Sequence, residues 1–338
     1  MQHRAFITGL SGPELADDER DFLGASRPCG LILFARNLLN HEQIRRLITA
    51  YREAVGNPEA LVLIDQEGGR VQRLRPPLGR ALPPASAYAG VAPDDLAAAC
   101  EAAFAISRLM AHDLRELGIT MNCTPVLDAP VVGAHGIIGD RALSEDIGTI
   151  TRLGRAVAQG HLAGGVCPVI KHIPGHGRAQ ADSHLELPVV TATLADLRQR
   201  DFVPFKALAD MPAAMTAHVV YTAIDADAPA SVSAKLTCEI IRGEIGFDGL
   251  LMSDDLSMKA LTGSFEARAA AVIAAGSDVA LHCSGNLSEM QEVARTVPVL
   301  AGRALDRFEA AVAVTRTMAP FDIADAEKHL SRALSARV

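Results

Sequence analysis

Short apolar runs alternate with longer segments of helical period along almost the whole chain. No other feature restricts the fold as much. The runs fall at 5–7, 30–34, 61–64, 119–126, 168–170, 213–220, 249–252 and 279–282. Most lack the polar alternation of a half-exposed strand, so they read as strands buried on both faces of a parallel sheet. Helical segments fill the gaps. Asn40 is placed to cap one, with Gln43 three residues on, apolar Ile44, Leu47, Ile48, Tyr51 and Val55 along one face, and Gly56 to stop it. Another starts after Pro93-Asp94-Asp95, buries Ile106, Met110, Leu114 and Leu117, and ends at Gly118. Further helices are expected over 13–22, 147–161, 194–209, 234–244, 265–275 and 287–295, and residues 76–93 read as irregular.

Two architectures accommodate βα repeated about eight times: a (β/α)8 barrel and a doubly wound open sheet. An open sheet gathers its ligand groups at one switch point. Here polar groups follow most of the strands, no GxGxxG follows the first strand, and no GxxxxGKS/T occurs. The expectation is a single TIM-type (β/α)8 barrel, with irregular strands allowed, occupying residues 1–338: a core over about 3–300 and C-terminal helices over about 301–338.

Composition supports a full core. Apolar residues make up 49% of 338, aromatics only 4%, and Trp is absent, so small and aliphatic side chains must fill the interior. A net charge of -8 argues against a nucleic-acid surface, which needs a basic field. No apolar run approaches the roughly 18–20 residues of a membrane span. The N-terminal MQHRAFITGLSG lacks the apolar region and small-residue cleavage site of a signal peptide. The 6 cysteines form no CxxC pair and read as free thiols in a reducing compartment. A cytoplasmic protein without nucleic-acid or membrane partners is expected, monomeric by preference.

Candidate chemistry collects after the strands. Residues 168–170 open into a loop carrying Lys171, His172, His176, Arg178, Asp182 and His184, which Gly175 and Gly177 are expected to keep flexible. Asp65 and Arg73 bracket EGGR, Asp128 ends another apolar run, Arg141 closes a glycine-containing loop, and Asp254 and Asp255 end a further strand. In a barrel all would converge on one pocket. An acidic pair after a buried strand suits a nucleophilic carboxylate, although one of the two is equally placed to cap a turn, and spacing does not choose between them. Asp182, two residues before His184, can accept the imidazole N–H and poise that ring for proton transfer; a solvated loop is the bland alternative. Lys171 and His172 can donate to sugar hydroxyls or to an anion, or form a structural ion pair. Asp65 with Arg73 suits a sugar, or an ion pair closing the barrel mouth. Arg141 can reach a ligand or lie on the surface. His172 and His176 are four apart, but Pro174 and Gly175 between them argue against a helical zinc pair, and HExxH is absent. No metal and no cofactor are expected.

Taken together, LVLIDQEGGRVQRLR, MNCTPVLDAP, GDRALSEDI, IKHIPGHGRAQADSH, MTAHVVY and LLMSDDLSMKAL resemble the family-3 glycoside hydrolases, in particular the single-domain bacterial β-N-acetylhexosaminidases of cell-wall recycling. The motifs run in order over about residues 3–300. KHxPGHG followed by DxH is the most specific of them. Ile173 stands where Phe is usual, and Cys123 where a smaller residue is usual; neither removes a reactive group.

The resemblance implies a TIM-type barrel and a retaining enzyme that releases terminal β-linked N-acetylglucosamine from muropeptide fragments. It implies Asp254 as nucleophile, His184 as acid/base with Asp182 orienting it, and Asp65, Arg73, Arg141, Lys171 and His172 as substrate-binding residues. The alternatives are a β-glucosidase or xylosidase of the same family, a phosphorylase version, and a non-catalytic sugar-binding barrel.

Overall fold

The computed structural model describes residues 2–133, 136–180 and 186–336. Eight parallel strands close a barrel in sequence order. They are β1 (Arg4–Thr8), β2 (Pro28–Leu33), β3 (Leu61–Ile64), β4 (Met121–Asn122), β5 (Cys167–Ile173), β6 (Ala213–Thr216), β7 (Leu250–Asp255) and β8 (Val279–His282). Each pairs with the next, and β8 returns to β1 through Phe6–Ala280 and Ile7–Leu281. Leu61 to Ile64 are all buried, as are Cys167 to Ile173, because the helical ring covers the outer face and side chains fill the interior. Each fully buried Leu, Ile or Val contributes about 1.5–3 kcal/mol.

The helices follow from local signals. The helix His41–Val55 starts where the Asn40 side chain accepts from Gln43 N at 2.9 Å, and stops where Gly56 turns left-handed. Asp95 likewise caps Leu96–Glu116 by accepting from Ala97 N and Ala98 N. The helix expected from residue 13 begins only at Asp17, and that expected from 234 is wound as a π-helix over Leu236–Glu244. Beyond the barrel run helices Gly302–Val314 and Ile323–Ser335. The segment between them is pinned at its end: Arg108 donates to the Ala319 carbonyl at 2.7 Å and stacks on Phe321 at 3.9 Å.

Three strand boundaries depart from the sequence reading, and each departure shapes the barrel mouth. The strand expected over 119–126 is only two residues long. Pro125 offers no N–H to the ladder, and pairing resumes as a single bridge between Val126 and Lys171. β5 runs on through Lys171 and His172, which therefore sit on a strand rather than in a loop. β7 likewise includes Asp254 and Asp255. Both extensions contain register shifts. Lys171 and Ile173, two apart, face consecutive Met215 and Thr216; Met252 and Asp255, three apart, face Val279 and Leu281. A bulge breaks the in–out alternation, so neighbouring side chains can both reach one cavity.

Candidate active site

At the C-terminal mouth of the barrel lies a cavity of about 250 Å³ lined by Asp65, Glu67, Arg73, Arg141, Lys171, His172, His176, Asp254 and Asp255, with Phe34, Met215 and Met258 among its apolar walls. The expected convergence of strand ends thus includes β3, β5 and β7 and the loop bearing Arg141. Asp128 sits directly behind this lining, fully buried. Asp182 and His184 lie outside the described residues.

One side of the cavity is a network of ion pairs. Lys171 Nζ lies 3.0 Å from Asp65 Oδ1 and 2.6 Å from Glu67 Oε1. Arg73 Nη2 donates to Asp65 Oδ2 at 3.0 Å. Arg141 grips Glu67 with two bonds, Nε to Oε2 at 2.8 Å and Nη2 to Oε1 at 2.9 Å. Burial works against ionising Asp65 and Glu67. Lys171 and Arg73 outweigh it at Asp65, and Lys171 and Arg141 at Glu67, so both carboxyls sit below the usual range. Burial also opposes the charge on Lys171, but Glu67 and Asp65 outweigh it and raise its pKa. These groups are therefore permanently charged near neutrality. Arg141, which sequence left as either ligand-facing or superficial, is buried.

Behind the network is a supporting layer. Gly68, at φ +100, makes a tight turn in a two-stranded hairpin, Gln66–Gly68 with Val71–Gln72; a Cβ there would meet the Pro83 carbonyl at 2.2 Å. Gln66 Oε1 accepts from Arg73 N and Leu74 N, each at 3.0 Å. Asn122 holds Gln66 in turn, accepting from its N–H and donating to its carbonyl, both at 2.9 Å, and contacts His161 Nε2 at 3.0 Å. His161 Nδ1 donates to the Val157 carbonyl, and burial holds its pKa down to about 4, so the ring is neutral with Nε2 accepting from Asn122.

Asp128 organises the end of β5. Its Oδ1 accepts from His172 N at 3.1 Å and His176 N at 2.6 Å, and its Oδ2 from His172 Nδ1 at 2.6 Å. Burial opposes its ionisation, but His172 outweighs this and holds the pKa to about 2. The bond at Nδ1 leaves the other ring nitrogen of His172 for the cavity. Residues 174–179, which follow, are packed. Tyr221 donates its hydroxyl to the Gly175 carbonyl at 2.7 Å, and Arg178 pairs with Asp201 at 2.7 Å. A Cβ at Gly177 would sit 2.1 Å from the Ala129 carbonyl oxygen. Gly177 is required for close approach, which corrects the expectation that it loosens the loop.

The opposite side separates the acidic pair. Asp255 is tied into the turn: Oδ1 accepts from Ser257 N and Cys283 N, each at 3.0 Å, and Oδ2 accepts from the Ser257 hydroxyl. Among the described residues, Asp254 has one hydrogen bond, from Asp255 N to its own Oδ1 at 2.8 Å. Burial would raise its pKa, but His218, His172, the Asp255 N–H and Lys171 together bring it below the usual range, so Asp254 is an anion. His218 is wholly buried. Its Nε2 donates to the Asp255 carbonyl at 3.0 Å, and its Nδ1 lies 2.6 Å from Ser231 Oγ; burial lowers its pKa and keeps it neutral.

The cavity thus faces an ionised carboxylate, with free acceptor capacity, toward a wall of charged donors and acceptors. That suits a polyhydroxylated ligand attacked at one carbon. Among the described residues, no group of three or more His, Cys, Asp or Glu is placed to hold a metal ion. No helix of these residues is long and apolar enough to cross a membrane. The sequence placed Asp128 among the groups converging on the pocket, without a specific role, and gave none to Glu67 or His218. Glu67 had a usable signal, since it stands two residues after Asp65 in DQEGGR.

Residues 6–316 match the family model described as the glycosyl hydrolase family 3 N-terminal domain. The chain belongs to this family. A family-3 enzyme hydrolyses glycosidic bonds, and the barrel described above is its fold. A β-hexosaminidase from Bordetella avium is 40% identical over 282 residues, covering 82% of this chain and 80% of that protein. One from Methylococcus capsulatus is 42% identical over 279 residues, covering 81% of each. NagZ from Neisseria gonorrhoeae, solved in complex with N-trifluoroacetyl-D-glucosamine, superposes with a TM-score of 0.86 at 30% identity, over 100% of this chain and 99% of that one.

Proposed function

We propose that the chain is an exo-acting, retaining β-N-acetylglucosaminidase. It acts as a single catalytic domain on terminal N-acetylglucosamine of cell-wall muropeptide fragments, in the cytoplasm and as a monomer. The observation that carries this reading is the pairing of an anionic, sparsely bonded Asp254 with the Asp65–Lys171–Glu67–Arg141 network across one cavity. The names of the β-hexosaminidase relatives and the glucosamine derivative in NagZ support the choice of sugar.

In the proposed reaction Asp65, Arg73, Arg141, Lys171 and His172 hold the terminal sugar. His184, protonated and oriented by Asp182, donates its proton to the glycosidic oxygen as that oxygen leaves. Asp254 attacks the anomeric carbon from the opposite face, and a glycosyl ester forms through an oxocarbenium-like transition state. His184, now neutral, takes a proton from water. The hydroxide adds to the anomeric carbon, the bond to Asp254 breaks, and N-acetylglucosamine leaves with its configuration retained.

Release of 4-nitrophenol from the β-N-acetylglucosaminide, compared with the β-glucoside, tests the sugar. Proton NMR of the first-formed product tests the stereochemistry. The expected outcomes are preference for the acetamido sugar and initial β-anomer; equal turnover of the glucoside, or initial α-anomer, overturns the proposal. A His184→Ala chain is expected to lose most of its turnover.

A further inference from the structure

Glu67 is among the most buried charges of the cavity, and the mechanism above does not use it. Its side chain is 3% exposed and meets three donors from two distant segments: Lys171 Nζ on β5, and Nε and Nη2 of Arg141. With Glu67 rooted in the hairpin after β3, one carboxylate joins three parts of the barrel mouth. A second tie runs alongside, since Arg70 of the same hairpin donates to Asp140 Oδ1 at 2.8 Å and to the Ile138 carbonyl at 3.1 Å.

We propose that Glu67 is a positioning residue that fixes both Lys171 and Arg141 against the substrate, resting on the sugar-binding role given to those two cations above. Acid catalysis by Glu67 itself does not fit. Three donors occupy its oxygens, and Lys171 and Arg141 hold it ionised against the effect of burial. The two cations depend on it unequally. Lys171 keeps Asp65, which it already shares with Arg73. Arg141 has no other carboxylate in hydrogen-bond contact among the described residues; its remaining bond there is a 3.4 Å contact to the Ile137 carbonyl. Neutralising Glu67 therefore leaves a buried guanidinium with no carboxylate in hydrogen-bond contact among the described residues and only the more distant charges of Asp128 and Asp65 beside it.

The proposal has a titration signature. Burial works against the charge on Lys171, and Glu67 is foremost among the carboxylates that keep it protonated, ahead of Asp65, with Arg141 opposing them; Asp254 also feels the Lys171 charge. Without Glu67, burial regains weight and the Lys171 pKa falls. An alkaline loss of substrate affinity should then appear at a pH where the parent enzyme is still saturated.

The test is Glu67→Gln, assayed on 4-nitrophenyl β-N-acetylglucosaminide from acid to alkaline pH, with circular dichroism to establish folding. The expected result is a fall in kcat/KM of about 100-fold, carried mainly by KM, with a new alkaline limb. That limb should vanish when Lys171→Met is added. Glu67→Asp keeps the charge but shortens the reach; it should raise KM without adding the limb, and it stands in if the Gln variant does not fold. Kinetics within about threefold of the parent, or a loss confined to kcat with an unchanged pH profile, overturns the proposal. If Lys171→Met alone matches the parent, the sugar-binding reading fails. If Lys171→Met loses affinity and Glu67→Gln does not, only the role of Glu67 fails.

Discussion

The two sides of the cavity use the same residue types in opposite ways. On the β3–β5 side, Asp65 receives two charged donors and Glu67 three, while Asp128 receives two backbone N–H groups and one imidazole N–H. On the β7 side the adjacent carboxylates divide. Asp255 is saturated by Ser257 and Cys283, while Asp254 takes a single backbone N–H among the described residues. A carboxylate gripped by several donors is held in place and has fewer lone pairs left to attack a carbon. An anion with lone pairs directed into a cavity can attack. The number of donors, not the residue type, separates the two.

The largest effect should come from the unsaturated carboxylate. Asp254→Asn is expected to lower kcat by at least about 10⁴-fold while leaving thermal unfolding close to that of the parent. Equal losses of activity and stability would place Asp254 among the scaffold groups instead. Next comes Asp128→Asn, which withdraws a charged acceptor from three donors and frees the His172 ring. A drop of about 100-fold in kcat/KM is expected, together with about 2–3 kcal/mol of unfolding free energy measured by urea denaturation. Asp255→Asn should show the inverse of Asp254→Asn: a stability loss of about 1–3 kcal/mol, with turnover reduced by roughly tenfold through displacement of its neighbour. Turnover abolished with stability intact would reverse the assignment of the two.

Those contrasts explain what the sequence could and could not convey. β3 and β8 were legible because strands buried on both faces read as unbroken apolar runs, and the Asn40 cap and the helix start at Pro93-Asp94-Asp95 because they act locally. Asp65, Lys171 and Asp254 were legible as candidates because polar groups directly after such runs have few other reasons to be there. Spacing did not choose between Asp254 and Asp255, and only the family resemblance did, since the physical difference depends on Cys283 and Ser257 and on a register shift against β8. Glu67 stayed silent because its partners lie 74 and 104 residues away in the chain, at Arg141 and Lys171. Gly177 was read as a source of flexibility because its requirement comes from Ala129, a neighbour only in space.

The smallest effect concerns the layer beneath the cavity. His161 is neutral in the fold, with a pKa lowered from the ordinary 6.5 to about 4 by burial. The unfolded chain binds a proton there first, so its contribution to stability is complete above pH 6.5 and declines as pH falls toward 4. His161→Gln should flatten the pH dependence of the unfolding free energy in that window by up to one proton's worth of slope. Titration of unfolding by urea at several pH values reads this directly, and an unchanged slope removes His161 from the acid response.

The most direct measurement on the proposed nucleophile is a rapid acid quench during steady turnover of the N-acetylglucosaminide, followed by peptide mapping by mass spectrometry. The expected result is an N-acetylglucosaminyl ester on Asp254, absent from the Asp254→Asn chain. An ester on Asp255, or on any other carboxylate, would contradict the division between the reactive and the saturated acid.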